Sequence, residues 1–498
     1  MNIMMLLEMA AQGFGDRVAF VNEDDSLTYQ ELYDAAGAAA AYIRQSGCEY
    51  VAMLDVTSLA MPVALFASAW AGVPYVPLNY RLTEHEIKGL VERVEPALLI
   101  TETDCTRDFS GHEAVQVVTR DAFLTRARSA KALETPWSMD AEDIAVLLFT
   151  SGTTGAPKAA VLRQKHLVAY ILGSVEFGGA ALEDASLGCV PPYHIAGISA
   201  VISSVYSGRR VVQLANFTPE KWIELVARER VTNAFVVPTM LARIIELLDA
   251  DSAAQLSSLR AIAYGGGKMP LAVIEKTIQL LPQTDFTNAY GLTETSSTIA
   301  VLGPQDHRDA AASDDPAVHR RLVSVGRALP GVEIQIRDDE GQPASAGERG
   351  EIYVRGEQVS GEYVGRGSLL DAEGWFPTRD AGSMDEEGYL FLEGRADDVI
   401  IRGGENMSPG EIEDILLEHP AVADVAVVGI PDEQWGEAVA AAVVLKAEHS
   451  AGAAELQAWV RDRMRSSRVP QSLEFWDELP YNETGKLLRR IVKEKLST

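Results

Sequence analysis

The stretch LLFTSGTTGAPKAAV runs from Leu147 to Val161 and joins two local patterns. Its first part, which ends at Thr150, is an apolar run typical of a buried β-strand. The second part is a turn rich in Ser, Thr and Gly that ends at Lys158. Glycines let backbone N–H groups approach an oxyanion, hydroxyls add donors, and the lysine adds positive charge. The stretch therefore predicts a strand that leads into a polyphosphate-binding turn.

This turn is not a Walker A loop. That motif places four residues between its first glycine and a Gly-Lys pair. Here Gly152 and Gly155 are separated by two residues, and Pro157 precedes the lysine. On composition alone, a Ser/Thr/Gly loop is equally compatible with a flexible turn. The choice between these two interpretations depends on the rest of the chain.

Strand-like apolar runs alternate with helical patterns on both sides of the turn. The runs are VAMLDV (51–56), ALLI (97–100), AVLLFT (145–150), RRVVQL (209–214), AFVVP (234–238) and LRAIAYGGG (259–267). This alternation predicts α/β layers around largely parallel sheets. After Thr293, the runs VEIQIRD (332–338), GEIYVRG (350–356) and GYLFLEG (388–394) predict short antiparallel strands in a distorted barrel, with a surface loop over 306–321. Beyond Arg395 the pattern predicts a small α+β unit.

Composition limits the class of protein. The chain has 498 residues, of which 47% are hydrophobic and 23% charged, so it is globular rather than disordered, collagen-like or a coiled coil. A net charge of −29 disfavours nucleic acid and anionic membranes as partners, and a phosphate-bearing ligand then needs a local cationic cluster. The three cysteines form no CxxC pair, which argues against a disulfide framework or zinc site and fits the cytoplasm.

Two apolar segments could suggest a membrane. Residues 1–17 lack a basic start and contain Glu8, which favours a short amphipathic helix over a secretory signal. Residues 56–80 carry no charge, but three prolines and Gly72 interrupt them. We expect a buried helix over 62–71 and a buried strand over 73–76 rather than a membrane span.

Several strings together carry a family resemblance. TSGTTGAPK resembles the phosphate loop of the adenylate-forming superfamily, which includes acyl-CoA synthetases, non-ribosomal adenylation domains and beetle luciferases. Later motifs of that superfamily are matched, in order, by NAYGLTET (288–295), GWFPTRDAG (374–382), GRADDVIIRGGENMSPGEIE (394–413) and YNETGKLLRR (481–490). The resemblance implies a large α/β N-terminal domain, residues 1–396, with two helix-flanked sheets and a distorted β-barrel. A small mobile α+β C-terminal domain, residues 397–498, would turn about the hinge residue Asp397.

The reaction that the resemblance implies consumes ATP with Mg²⁺. A carboxylate and ATP give an acyl-adenylate and pyrophosphate, and the acyl group then passes to a thiol such as that of CoA. Glu294 would bind the metal, Thr293 the α-phosphate and Lys486 the reacting groups, while His194 would border the carboxylate pocket. Tyr290 would offer its ring to adenine. The implied ATP- and AMP-binding residues are Thr150, Ser151, Gly152, Thr153, Thr154, Gly155, Lys158, Gly265, Gly266, Gly267, Asn288, Tyr290, Gly291, Asp380 and Arg395.

The chain departs from the superfamily pattern in informative places. It has Thr378-Arg379-Asp380 where relatives usually have Thr-Gly-Asp, and we expect Arg379 to point outward from the ribose site. A lone histidine such as His194 is more often structural than catalytic. Amino-acid-activating relatives place an aspartate near the position of Ile195, and isoleucine cannot pair with an ammonium group. An α-amino acid substrate is therefore disfavoured.

The thiol half of the reaction is implied by other residues. Gly403 and Gly404 would let backbone run beside the pantetheine channel. Trp435 is either a CoA contact or a core residue. The run RDRMRSSR (461–468) is either a CoA-phosphate site that includes Arg468 or a solvated helix face, and Ser467 replaces a frequent aromatic residue.

The function that these observations favour is a soluble acyl-CoA synthetase acting on a short- or medium-chain or aryl acid. The alternatives are an enzyme that loads a carrier-protein thiol and a degenerate nucleotide-binding regulator. The predicted partners are the acid, ATP and CoA, without nucleic acid or stable membrane insertion. A homodimer is left open.

Overall fold

A computed structural model provides the structure and describes residues 1–23, 25–150, 157–338, 340–395, 398, 400–402, 405–432, 435–481 and 487–497. The strands are β1 Val18–Asn22, β2 Asp25–Thr28, β3 Tyr50–Leu54, β4 Tyr75–Pro77, β5 Ala97–Thr101, β6 Val115–Thr119, β7 Ile144–Thr150, β8 Lys158–Arg163, β9 Ala185–Gly188, β10 Arg210–Gln213, β11 Asn233–Val236, β12 Ala261–Gly265, β13 Asp285–Leu292, β14 Ser297–Leu302, β15 Arg327–Ala328, β16 Val332–Arg337, β17 Gly350–Gly356, β18 Glu362–Tyr363, β19 Gly367–Ser368, β20 Phe376–Met384, β21 Leu390–Arg395, β22 Ile400–Arg402, β23 Glu405–Met407, β24 Val422–Asp432, β25 Gly436–Leu445 and β26 Ser472–Phe475. The α-helices are α1 Ile3–Phe14, α2 Tyr29–Ser46, α3 Ala60–Ala71, α4 Glu84–Val91, α5 Arg120–Ser129, α6 Gln164–Ser174, α7 Ile195–Ser207, α8 Pro219–Arg228, α9 Pro238–Leu247, α10 Ala250–Gln255, α11 Leu271–Leu280, α12 Pro304–Ala311, α13 Pro316–His319, α14 Pro409–Leu417, α15 Ala453–Arg461 and α16 Arg489–Leu496.

Two large sheets organise the N-terminal part. One runs β15-β14-β13-β12-β11-β9-β10-β1-β2 and is parallel from β13 to β1, with antiparallel edges. The other runs β19-β18-β8-β7-β4-β3-β5-β6 and is parallel from β7 to β6. A core that includes α1, α2, α3 and α7 joins the two sheets, and α8, α9 and α11 cover the outer face of the first. The predicted α/β layering around largely parallel sheets is confirmed.

The region after Thr293 departs from the sequence prediction in two ways. Its strands form a four-stranded antiparallel sheet, β16-β17-β20-β21, and the described strands do not close into the expected barrel. Residues 306–321, predicted as a surface loop, lie largely in α12, α13 and a short 3₁₀-helix. Both α-helices begin at a proline, Pro304 and Pro316, whose fixed φ and missing N–H suit a first helical position.

The C-terminal unit is α+β, as predicted. Its sheet runs β23-β22-β25-β24, and β26 pairs with β25. Helices α14 and α15 pack on one face of the sheet, and α16 packs on the other through Val492 and Leu496. Asp397 and the predicted boundary at 396/397 lie outside the described residues, so the boundary stays a prediction.

The two apolar segments are parts of the core. Helix α1 buries six residues, and every residue of α3 is buried before β4 begins. The strand starts two residues later than predicted, because Gly72 ends the helix in the left-handed conformation and Pro74 follows it. Within the described ranges, none of the helices combines the length and the apolar character needed to cross a membrane.

Candidate active site

One large cavity, of about 2830 Å³, opens at the carboxyl ends of the parallel strands, where ligands of α/β sheets usually bind. It lies between the N-terminal sheets and the C-terminal unit. The sequence-predicted residues that line it are Thr150, Lys158, His194, Gly266, Gly267, Asn288, Tyr290, Gly291, Thr293, Glu294, Asp380 and Arg395. Residues from six separate stretches of the sequence therefore meet in one cleft.

The described ends of the predicted phosphate turn lie side by side. Thr150 closes β7 and Lys158 opens β8, and the two residues are direct antiparallel partners. Their neighbours Ser151, Gly152, Thr153, Thr154 and Gly155 lie outside the described residues. The Lys158 Nζ atom is 5.8 Å from the centre of the Tyr363 ring, which places its charge beside the next part of the site.

Glycines are required where two strands crowd together at the cleft. A Cβ atom on Gly265 would lie 2.1 Å from the Ala289 carbonyl oxygen, and one on Gly291 would lie 1.8 Å from that of Ser297. Gly266 has φ +82°, a conformation that favours glycine. The glycines of YGGG and YGL are therefore needed by the backbone itself, and this backbone lines the cleft.

Glu294 occupies a 3₁₀ turn, Thr293–Thr295, directly after β13. The residue is only 8% exposed, and the Tyr363 hydroxyl donates to its carboxylate. Burial, reinforced by Glu294, raises the pKa of Tyr363 above its ordinary value, so the phenol keeps its proton. Sequence reasoning missed Tyr363, because it lies on β18, far along the chain from Glu294.

Asp380 joins Tyr290 and Arg395 in a compact group. Its Oδ2 accepts from the Tyr290 hydroxyl at 2.7 Å, and its Oδ1 accepts from Arg395 Nη1 at 2.7 Å. Burial, followed by the Asp380 charge, raises the pKa of Tyr290 well above its ordinary value. Strands β20 and β21 set Asp380 directly opposite Arg395. Asn288 is committed to the backbone, since its Nδ2 donates to the Ser324 carbonyl at 2.9 Å.

Arg379 borders the cleft, but its side chain extends largely into solvent, as predicted. Its side chain is 60% exposed and its Nε lies 3.8 Å from Glu351. The residue has φ +63°, which an L-residue with a side chain seldom adopts. This conformation is a physical reason for glycine to be usual at the position.

His194 immediately precedes α7, and its ring centre lies 4.5 Å from that of Tyr193. Burial, with a smaller contribution from Arg81, lowers the pKa of His194 to about 4, so the imidazole is neutral near pH 7. Its Nε2 is buried and has no hydrogen-bond partner among the described residues. Ile195 and Leu292 line the cleft nearby. The geometry thus places His194 at the cleft wall.

Two of the expected CoA residues lie outside this cavity. Trp435 is 43% exposed, so the interpretation as a core residue is wrong, and Arg402 lies 5.4 Å from its ring centre. Arg468 is paired with Glu411. Helix α15 ends at Arg461, and Arg463 stacks on Trp459, so the run 461–468 does not form one helix face. Gly403 and Gly404 lie outside the described residues.

Lys486 also lies outside the described residues, but both described neighbours of its segment, Tyr481 and Leu487, line the cleft. The Tyr481 hydroxyl donates to Asp424, with oxygen distances of 2.9 and 3.1 Å. Arg489 donates through both terminal nitrogens to Glu413. Sequence reasoning missed both contacts, since their partners are 57 and 76 residues apart along the chain.

One ion pair links the N-terminal part to the C-terminal unit across the cleft. Lys268, just after the glycine-rich segment, lies 2.5 Å from Asp414 of α14. Both side chains are about half exposed, so the contact is of the weak surface kind. It is compatible with a C-terminal unit that changes its orientation.

Comparison with known proteins identifies the family. A model described as AMP-binding enzyme matches residues 7–364, and one described as AMP-binding enzyme C-terminal domain matches residues 411–486. The chain belongs to the AMP-binding enzyme family. It is 33% identical over 498 residues to the 2-succinylbenzoate–CoA ligase of Bacillus subtilis (strain 168), covering 98% of this chain and 97% of that one.

Solved structures agree with this assignment. The o-succinylbenzoate CoA synthetase of Bacillus subtilis in complex with its acyl-adenylate intermediate has a TM-score of 0.85 and 31% identity, covering 98% of this chain and 97% of that chain. ATP-bound MatB from Rhodopseudomonas palustris has a TM-score of 0.89 and 26% identity, covering 100% and 99%. The predicted resemblance to adenylate-forming enzymes of the acyl- or aryl-CoA ligase type is confirmed.

Proposed function

We propose that this member of the AMP-binding enzyme family joins a carboxylic acid to coenzyme A, using ATP to form an acyl-adenylate first. The observation that carries the proposal is the convergence of Lys158, Glu294 and the Asp380–Arg395 pair in one cleft, with neutral His194 on its wall. Proteins with similar chains are named as CoA ligases, and one similar structure contains an acyl-adenylate.

The nucleotide would lie across the ends of β12 and β13. A carboxylate has about four acceptor positions, and Asp380 uses two of them for Tyr290 and Arg395. The remaining positions can accept from ribose hydroxyls. The backbone of Gly266 lines the cleft and could lie against a flat base beside Tyr290. Lys158 would contribute positive charge near the phosphates.

Glu294 is the proposed metal ligand. Among the residues that the structure describes, no three His, Cys, Asp or Glu side chains are grouped so that they could hold a metal. A single carboxylate suits Mg²⁺, which retains water and takes its other ligands from phosphate oxygens. When bound, the ion would offset phosphate charge as the anionic acid approaches. The Tyr363 hydroxyl fixes the carboxylate for that role.

The proposed substrate is a carboxylic acid without an α-ammonium group. Ile195 lines the cleft and supplies no charge for an α-ammonium group, and the neutral imidazole of His194 supplies none either. The names of the 2-succinylbenzoate–CoA ligases support an aryl acid. The same names support CoA as the proposed acceptor of the acyl group.

The two half-reactions would use different orientations of the C-terminal domain, residues 397–498, about Asp397. Tyr481 and Leu487 border the cleft, whereas exposed Trp435 and the pair Arg468–Glu411 do not line it. This arrangement suits the first step, in which Lys486 would act on the reacting groups. A cytoplasmic location, predicted from the unpaired cysteines, is part of the proposal.

A panel of carboxylic acids scored by pyrophosphate release, with and without CoA, tests the function. Aryl acids should support ATP-dependent pyrophosphate release, and CoA should be required for sustained turnover and thioester product. Asp380→Ala should abolish turnover, while its exposed neighbour Arg379→Ala serves as the matched control and should retain it. Absence of pyrophosphate release with every acid would favour a degenerate nucleotide-binding regulator. Turnover only with a carrier protein would favour an enzyme that loads a carrier-protein thiol.

A further inference from the structure

The cleft continues past the predicted acid-binding residues along the whole length of α7. One face of this helix lines it at Ala196, Ala200, Ser203 and Ser207. The helix has 13 residues, which corresponds to a length of about 20 Å. The facing sheet contributes small side chains at alternate positions, including Ala261 and Ala263 of β12. The resulting groove has room for an elongated ligand that starts at His194.

Arg209 stands at the other end of this groove. It follows Gly208, which ends α7, and it lines the same cavity as His194. Its Nε is buried and has no hydrogen-bond partner among the described residues. Its backbone is held firmly, because its N–H donates to Ser204 and its carbonyl accepts from Tyr29.

The nearby carboxylates do not neutralise this guanidinium. Asp184 lies 3.0 Å from Arg260 and accepts from the Ala181 N–H. Glu176 lines the same part of the cavity and is exposed. Within the described part of the chain, neither forms an ion pair with Arg209. Burial lowers the pKa of Arg209 below its ordinary value, and the charge of Asp184 offsets only part of this shift.

A partly buried guanidinium with an unpaired donor is energetically unfavourable unless something else pairs with it. Arginine binds carboxylates with a planar, forked geometry. We propose that Arg209 binds a second carboxylate at the far end of the acid, so that the substrate class is an elongated acid with an anionic group at each end. This inference rests on the proposed function and specifies its acid. The reacting carboxylate would then lie at His194 and the second one near Arg209.

The test compares straight-chain α,ω-dicarboxylic acids of increasing length with their monomethyl esters, scored as kcat/KM for pyrophosphate release. For acids long enough to span α7, kcat/KM for the diacid should be about ten- to a hundredfold higher than kcat/KM for its half-ester. This ratio is taken after correction for the two equivalent carboxylates of the diacid. Arg209→Met should bring this ratio close to one, and Arg209→Lys should give an intermediate ratio. The matched control is Arg210→Met, because Arg210 is already paired with Glu229 at 3.2 Å and should not alter the ratio.

Thermal stabilisation by the long diacid without ATP provides a readout that does not depend on turnover. The diacid should raise the Tm of the wild type and not that of Arg209→Met, whose own Tm should be no lower than that of the wild type. The inference would be overturned, with the ligase function intact, if the wild type used half-esters and diacids equally. It would also be overturned if Arg209→Met left the ratio of diacid to half-ester kcat/KM unchanged. Stabilisation that depends on Arg209 without pyrophosphate release from any acid would instead overturn the ligase function alone.

Discussion

Both ends of the segment that contains Lys486 are fixed to the core of the C-terminal unit, and this attachment can be broken at Arg489. Arg489 donates to both carboxylate oxygens of Glu413 and, at 2.8 Å, to the carbonyl of Val427. Its Nε also lies 3.5 Å from Asp398, the described residue next to the proposed hinge. We predict that Arg489→Met chiefly impairs acyl-adenylate formation, because it releases one end of the lysine segment.

The size of the effect follows from burial. The side chains of Arg489 and Glu413 are 18% and 10% exposed, so removing the arginine leaves a carboxylate with little water. Breaking a buried pair in this way costs about 3–5 kcal/mol. The energetic cost is larger still because the Val427 carbonyl, on the edge strand β24, loses the hydrogen-bond donor that Arg489 supplies. If about 3 kcal/mol of this holds the segment in place, the first half-reaction should slow by about a hundredfold.

The two half-reactions are measured separately in folded protein. Pyrophosphate exchange reports the first, and CoA-dependent consumption of synthetic acyl-adenylate reports the second. Arg490→Met is the matched control, since Arg490 is 75% exposed and lies 3.9 Å from Glu494. A purely structural role for Arg489 would lower the folded fraction and so reduce both half-reactions by one factor. That result, or unchanged pyrophosphate exchange, would refute the reasoning.

Three further predictions concern the N-terminal site. Glu294→Gln should leave the fold intact but lower pyrophosphate exchange by about a hundredfold or more, because less charge remains to hold Mg²⁺; near-normal exchange at ordinary Mg²⁺ would count against the assigned role. Arg379→Gly should raise the free energy of unfolding in urea by roughly 0.5 kcal/mol, since relief of about 1–2 kcal/mol of left-handed strain exceeds the flexibility cost of glycine; Arg379→Ala, which keeps the strain, should show no such gain. The pKa of His194 is lowered from 6.5 to about 4, so below pH 6.5 the unfolded chain binds more protons and stability falls as the pH drops towards 4. His194→Gln should remove up to about 3 kcal/mol of this dependence, and an unchanged pH profile would show that the imidazole is not buried in the neutral form.

Local patterns were sufficient for several of the buried strands and for the motifs that follow them along the chain. Apolar runs located β7, β11 and β12, and a motif at the carboxyl end of a parallel strand has only one edge of the sheet on which to lie. The groups missed were those joined by distant contacts. Tyr363 reaches Glu294 across 69 residues, and Arg489 reaches Glu413 across 76. Neither tyrosine nor arginine carries a local pattern that predicts such a partner, and the barrel was overpredicted because strand alternation does not determine closure.

Arg379 shows how backbone geometry can explain a departure that the sequence alone left open. The antiparallel pairing of β20 and β21 sets Asp380 opposite Arg395, and the ladder is irregular between Ala381 and Gly382. Arg379, the residue before Asp380, has φ +63°. With this backbone conformation the Arg379 side chain lies largely in solvent, and the Asp380 carboxylate lies against the Tyr290 hydroxyl. A side chain at position 379 therefore raises the energy of this conformation without entering the ribose site. The carboxylate geometry depends on strand register and on the left-handed backbone, so replacement of the usual glycine is tolerated as long as the strand pairing supplies the energy to hold it.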